Sequence, residues 1–242
     1  KNSGIMANFE LSHNNYLLCC GVNGWHSADF KVAQELVKTA EGGYSDDQRD
    51  RGNWICEYNG KGNWIEKDFT CKLGVKKLVG TNFGIAAPTL SNYYGKAATM
   101  FDMKNLTYEN AVKIYKSNYW NPIKGDDIKS QKLASMLYDS AVNQGVGLIH
   151  GYIKDSLGIN TYDVAKINAA NPEELFNKIG AKRKAAYTAQ GGYALNSWLD
   201  RLKKLGYGDV LETVKRNPGK TGMILVGIGL LATGLYFYTK NK

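Results

Sequence analysis

Apolar residues along this chain recur at steps of three and four far more often than in strict alternation, so most of the body predicts helix. Phe30, Ala33, Val37 and Glu41 share one helical face, and the chain breaks straight after them at Gly42-Gly43. Thr107 can cap a helix whose stripe is Tyr108, Ala111, Val112, Tyr115 and Tyr119, ended by Pro122. Leu133, Met136, Leu137 and Ala141 mark another, stopped by Gly145 and Gly147, and Leu148, Ile149, Tyr152, Ile153 and Leu157 mark the next. Asn171-Pro172-Glu173-Glu174 reads as a helix start: a capping residue, a proline at the first position and two acids favoured by the helix dipole. Leu195, Trp198, Leu199, Leu202 and Leu205 make the last body helix, closed by Gly206. The exception runs from Trp54 to Phe69, where WICEY and WIEKDF flank the turn signal Asn59-Gly60-Lys61-Gly62-Asn63 and predict a β-hairpin.

One segment has no polar face at all. Thr221 to Thr239 runs 19 residues without a charge, bracketed by Lys220 and Lys240, with Tyr236, Phe237 and Tyr238 at one end. As a helix it would cover about 28 Å, close to a bilayer core, so it predicts a transmembrane helix. A short linker, 209–220, precedes it, and residues 1–27 form an N-terminal extension without a recognisable signal peptide. The expected division is therefore 1–27, a helical body over 28–208 with an insertion at 53–80, the linker, and the membrane segment 221–239.

Charge changes the picture only modestly. The chain is 242 residues long with a net charge of +9, and Lys215, Arg216, Lys220, Lys240 and Lys242 leave +4 for the rest. A mildly basic body suits anionic polymers, but no RNA- or DNA-binding signature is present, so nucleic acid is not expected as a partner. The cysteines are Cys19, Cys20, Cys56 and Cys71; none are spaced as CxxC, and no metal site is expected. Cys56 and Cys71 could close a short loop in an oxidising compartment, or stay as buried thiols.

Candidate chemistry begins at Glu41. A carboxyl at the end of an apolar helix face is partly desolvated, which favours its protonated form and suits a general acid. Asp50 follows nine positions on, in a polar loop with Arg49 and Arg51, and Thr81 stands in Thr81-Asn82-Phe83-Gly84-Ile85. This order resembles the phage-type lysozymes, and resembles glycoside hydrolase family 108, the N-acetylmuramidases, more closely still. The residues that carry the likeness are Glu41-Gly42-Gly43-Tyr44, Asp47, Asp50-Arg51-Gly52 and Thr81 to Ile85. Ile114-Tyr115, Tyr119-Trp120, Asp139 to Gly145 and Trp198-Leu199-Asp200-Arg201 extend it over about residues 30 to 205. Departures lie in the loops. Roughly thirty residues separate Asp50 from Thr81 where the family usually has a few, Gln48 and Arg51 replace common prolines, and Ala86 stands where threonine is usual.

The resemblance implies a mainly α, lysozyme-like domain with the hairpin inserted at its cleft. It also implies a peptidoglycan hydrolase that cleaves the MurNAc–GlcNAc bond without metal or cofactor. Glu41 would be the acid, while Asp50 and Thr81 would position a water or stabilise developing charge. Tyr44, Trp54, Tyr58 and Trp64 offer flat faces to sugar rings, and Asn82, Asn143 and Gln144 could reach sugar amides or hydroxyls, or serve as turns and caps. The rival reading keeps the fold without turnover, as a membrane-anchored or virion-associated wall-binding module. A membrane-associated enzyme of a phage, prophage or bacterial lysis system, met by a holin, a secretion machine or phage particle proteins, is the setting this reading expects.

Overall fold

The computed structural model describes residues 27–37, 43–66, 68–192 and 195–207. Among them the chain forms α1 (Phe30–Val37), a 3₁₀ turn (Arg51–Asn53), β1 (Trp54–Tyr58), β2 (Lys61–Asn63), β3 (Val75–Leu78) and α2 (Ala87–Tyr94). Then follow α3 (Met100–Lys104), α4 (Tyr108–Tyr115) running into a π turn (Lys116–Trp120), and a 3₁₀ turn (Gly125–Asp127). The C-terminal part is α5 (Gln131–Gln144), α6 (Val146–Leu157), α7 (Val164–Ala169), α8 (Pro172–Gln190) and α9 (Leu195–Lys204).

The helices form where capping and periodicity agree. Thr107 accepts from Asn110 N and starts α4; Asn171 accepts from both Glu173 N and Glu174 N and starts α8. Central α5 buries an unbroken run from Leu133 to Ala141, because α1, α6 and α8 pack around it. At its heart Phe30, Trp120 and Tyr138 meet edge to face or tilted, with centroids 5.5–5.6 Å apart. Helices α1 and α5 run in the same direction. The Gln131 amide exchanges two hydrogen bonds with the Asp29 backbone, and further along the Tyr138 hydroxyl donates to Gln34. The C-terminal end of α5 therefore lies on the side to which α1 points.

Two expectations are corrected. The element at 54–69 is not a simple hairpin: an antiparallel sheet of order β2-β1-β3 replaces it, and no described residue of WIEKDF lies in a strand. Asn59 (φ 51°) and Gly60 (φ 73°) alone make the turn, so Tyr58 pairs with Lys61 and strand begins three residues earlier than the turn signal suggested. Asn-Gly supplies the two positive φ values that a two-residue turn needs. The opposite edge of β1 is then free to take β3, with Trp54 opposite Leu78 and Cys56 opposite Lys76. The second correction concerns the membrane. Among the described residues no helix is long and apolar enough to cross one, and Thr221 to Thr239 lies outside them. The described residues support a mainly helical domain with a small three-stranded sheet, and a transmembrane helix is not supported.

Candidate active site

The site is built where the loop after α1 meets the chain leaving β3. Ser45 and Thr81 form an antiparallel bridge, each N–H donating to the other's carbonyl at 2.8 Å. Asn53, fully buried, sits beneath this junction. Its carbonyl accepts from Val79 N (2.8 Å) and Gly80 N (2.9 Å), and its amide donates to Asp47 O (2.9 Å). Tyr44 lies along the same seam, its hydroxyl donating to Val79 O at 3.3 Å. A side chain at Gly80, where φ is +95°, would meet the Tyr44 ring at 2.5 Å, so only glycine lets the ring pack there. Burial first, then the neighbouring Asp46 carboxylate, hold the Tyr44 phenol above its ordinary pKa.

Asp50 and Thr81 are brought together although 31 positions apart. Asp50 Oδ1 accepts from Gly52 N at 2.8 Å and caps the 3₁₀ turn. A Cβ built on Gly52 would lie 3.2 Å from that oxygen and 3.7 Å from Thr81 Oγ1, so both oxygens border the same glycine. Thr81 Oγ1 is buried and has no hydrogen-bond partner among the described residues. Glu41 lies outside the described residues; Phe30, Ala33 and Val37, the earlier members of its stripe, are all buried on α1.

Arg49 does not serve Asp50. Its guanidinium grips Asp47 through Nε (3.0 and 3.2 Å) and Nη2 (2.7 Å), and these bonds hold the Asp47 carboxyl down at about 2. Arg51 turns instead toward the Phe69 ring, 5.8 Å from its centroid.

The other candidate residues divide. Tyr58 and Trp64 are about half exposed on the inserted sheet and the loop after it. Trp54 is half-buried: its indole N–H donates to Gln48 O at 3.0 Å, and Lys76 Nζ lies 4.4 Å above its ring. Asn82 is buried, with its amide donating to Met103 O at 3.0 Å. Gln144 accepts from Arg183 Nε at 3.2 Å, and Asn143, with its amide oxygen turned to Arg201, accepts from Nε (3.0 Å) and Nη1 (3.1 Å). These two amides belong to a charged cluster that sequence reasoning missed. Buried Asp139 binds Arg183 Nη2 and Arg201 Nε, each at 2.6 Å, and Arg183 also donates to the Tyr187 hydroxyl at 2.8 Å. Asp139 and Arg201 both lie in segments the resemblance had picked out, but nothing in their spacing links them to each other or to Arg183.

Comparison with known proteins shows what the arrangement is similar to. Residues 34–145 match the family model described as Glycosyl hydrolase 108. The match stops at the end of α5, well short of the residue 205 expected from the motifs. Among solved structures the chain is similar to SagA of Brucella abortus, at 24% identity and a TM-score of 0.53, covering 73% of this chain and 90% of that one. At that identity the likeness speaks for the fold. No curated protein matches. Residues 34–145, which hold Asp50, Thr81 and the sheet between them, are thus similar to glycosyl hydrolase 108, and a glycoside hydrolase is the activity that this likeness supports.

Proposed function

We propose that this chain is a glycoside hydrolase, an N-acetylmuramidase that cuts the MurNAc–GlcNAc bond of peptidoglycan. The observation that carries the reading is the convergence beside Gly52 of Asp50 Oδ1 and the Thr81 hydroxyl, which has no hydrogen-bond partner among the described residues. A buried hydroxyl left without a partner costs about 1–3 kcal/mol, which favours a site where the partner arrives with substrate. Glu41, at the end of the α1 stripe, donates its proton to the glycosidic oxygen as the bond to the anomeric carbon breaks. Asp50 stabilises the positive charge that develops on the sugar ring, or takes a proton from the incoming water. Thr81 orients that water.

Digestion of purified peptidoglycan, with mass spectrometry of the new chain ends, tests the reading. Reducing N-acetylmuramic acid ends are expected; reducing N-acetylglucosamine or freed peptides would overturn it. Glu41→Gln keeps the side-chain shape but cannot donate the proton, so turnover should fall by about 10²–10⁴-fold or more while binding survives. Wild-type turnover in that variant would move the acid elsewhere.

A further inference from the structure

The sheet between Asp50 and Thr81 sorts its charges by face. Glu57 and Lys77 form an ion pair on one side. On the other, side chains alternate with the pleat: Trp54, Cys56 and Tyr58 of β1 share it with Lys61 and Asn63 of β2 and Lys76 of β3, since Tyr58 pairs with Lys61 and Cys56 with both Asn63 and Lys76. Neither Lys61, Lys76 nor Arg51 has a carboxylate within 4.0 Å among the described residues. Arg51 still feels the more distant Asp68, whose carboxyl is held mainly by Thr70.

Lys76 is nonetheless held in place. Its ammonium lies 3.5 Å from the Phe69 centroid and 4.4 Å from that of Trp54, with the two rings edge to face at 5.9 Å. Phe69 reaches this position at a backbone φ of +66°, a conformation that a bulky side chain adopts only at a cost of about 1–3 kcal/mol. Two residues further on, Cys71 is tied to Cys56 of β1 by a disulfide, and Trp54 is tied to Gln48 O in the loop leading to Asp50. A strained turn, a covalent tie and two rings thus hold one lysine still without neutralising it. Rings neither take up a proton nor cancel a charge, so a cation fixed this way loses little further freedom on meeting an anion.

We infer that this outer face, with Lys76 as anchor and Lys61 and Arg51 beside it, binds carboxylate groups carried by the glycan chain as it enters the Asp50 site. The inference deepens the proposed muramidase reading and rests on it for the identity of the chain. Muramic acid residues can supply a carboxylate from an attached peptide or from their own lactyl group, and the face takes the shared chemistry.

Binding of the full chain, wild type and Lys76→Met, to three uncleavable short ligands tests it at low salt. The ligands are a muramyl disaccharide bearing its peptide, the same disaccharide stripped to its lactyl acid, and an uncharged N-acetylglucosamine oligomer. Lys76→Met keeps the aliphatic stem against both rings, so the fold should hold, with an unchanged melting temperature as the check. The variant should lose about tenfold in affinity for carboxylated ligands, lose nothing for the uncharged one, and show a flatter salt dependence. An effect confined to the peptide-bearing ligand assigns the peptide carboxylate; one confined to the stripped ligand, whose lactyl carboxyl is no longer an amide, assigns the lactyl group; one seen with both shows that the face takes either carboxylate. Equal binding by variant and wild type, or equal weakening for the uncharged oligomer, would overturn the inference. Because the readout is binding, a wild-type chain that takes these ligands but releases no reducing ends from purified peptidoglycan would sink the hydrolase reading alone.

Discussion

At the scale of single residues, the three acids of the Asp46–Asp50 loop have separate employments. Asp47 is committed to Arg49, and the depressed carboxyl means the pair contributes above about pH 4 and is lost as pH falls toward about 2. Carboxyl NMR should find Asp47 titrating near that low value, returning toward 3.8 in Arg49→Ala while turnover is unchanged; a wild-type value near 4 would refute the pairing. Asp50 carries a structural duty, capping the 3₁₀ turn, alongside its place near Thr81. Asp50→Asn keeps an oxygen to accept from Gly52 N, so stability should stay within about 1 kcal/mol while turnover drops, a split that a purely structural role would not give. Sequence reading singled out Asp50 and Thr81 through their order along the chain. It set Arg49 and Arg51 beside Asp50 in one polar loop, and nothing in the string says that an i, i+2 fork from Arg49 closes on Asp47.

At the scale of elements, the insertion was legible as β-structure but not as this sheet. Asn59-Gly60 announced its turn, and WICEY its central strand. The third strand, VKKL, carries two lysines in four residues and lies largely exposed, so no apolar alternation marks it. What holds it is pairing with β1 together with the Cys56–Cys71 tie. Closing a loop of 15 residues is worth about 3 kcal/mol in the chain-entropy account. Replacing both cysteines by serine should lower stability by about that much, and reduction of the wild type should match it. The same loop carries Phe69, so the serine variant should also loosen Lys76 and weaken binding of carboxylated ligands more than that of uncharged ones. Thermal melts that superimpose with and without reductant would show that the tie contributes nothing.

At the scale of the whole molecule, the question is why the segment that matches the family, ending at residue 145, is followed by four packed helices among the described residues. Helix α5 is shared: its first turns pack on α1, its last turn holds Asn143 and Gln144, and between them Asp139 faces inward with only 1% of its surface exposed. The helix stripes of the C-terminal part were plain in the sequence, but the charged cluster was not, since a buried acid and a buried arginine read as ordinary polar positions until the fold joins them. Asp139 takes its two guanidiniums from α8 and α9, Arg183 fully buried and Arg201 partly open. Removing one side of such a cluster strands an uncompensated charge and costs about 3–5 kcal/mol, whereas exchanging the whole set for apolar groups can be neutral. A chain cut after Gly158, carrying the complete family segment, would leave Asp139 without either arginine and uncover the apolar face of α5. It should melt far lower than the full chain or fail to fold. Asp139→Leu in that shortened chain removes the stranded charge and should restore part of the lost stability, while in the full chain the same change strands Arg183 and should destabilise. Thermal melts of the four proteins decide the matter. If the cut chain melts with the full one, or if Asp139→Leu acts in the same direction in both, the cluster does not bind the C-terminal helices to the segment that matches the family.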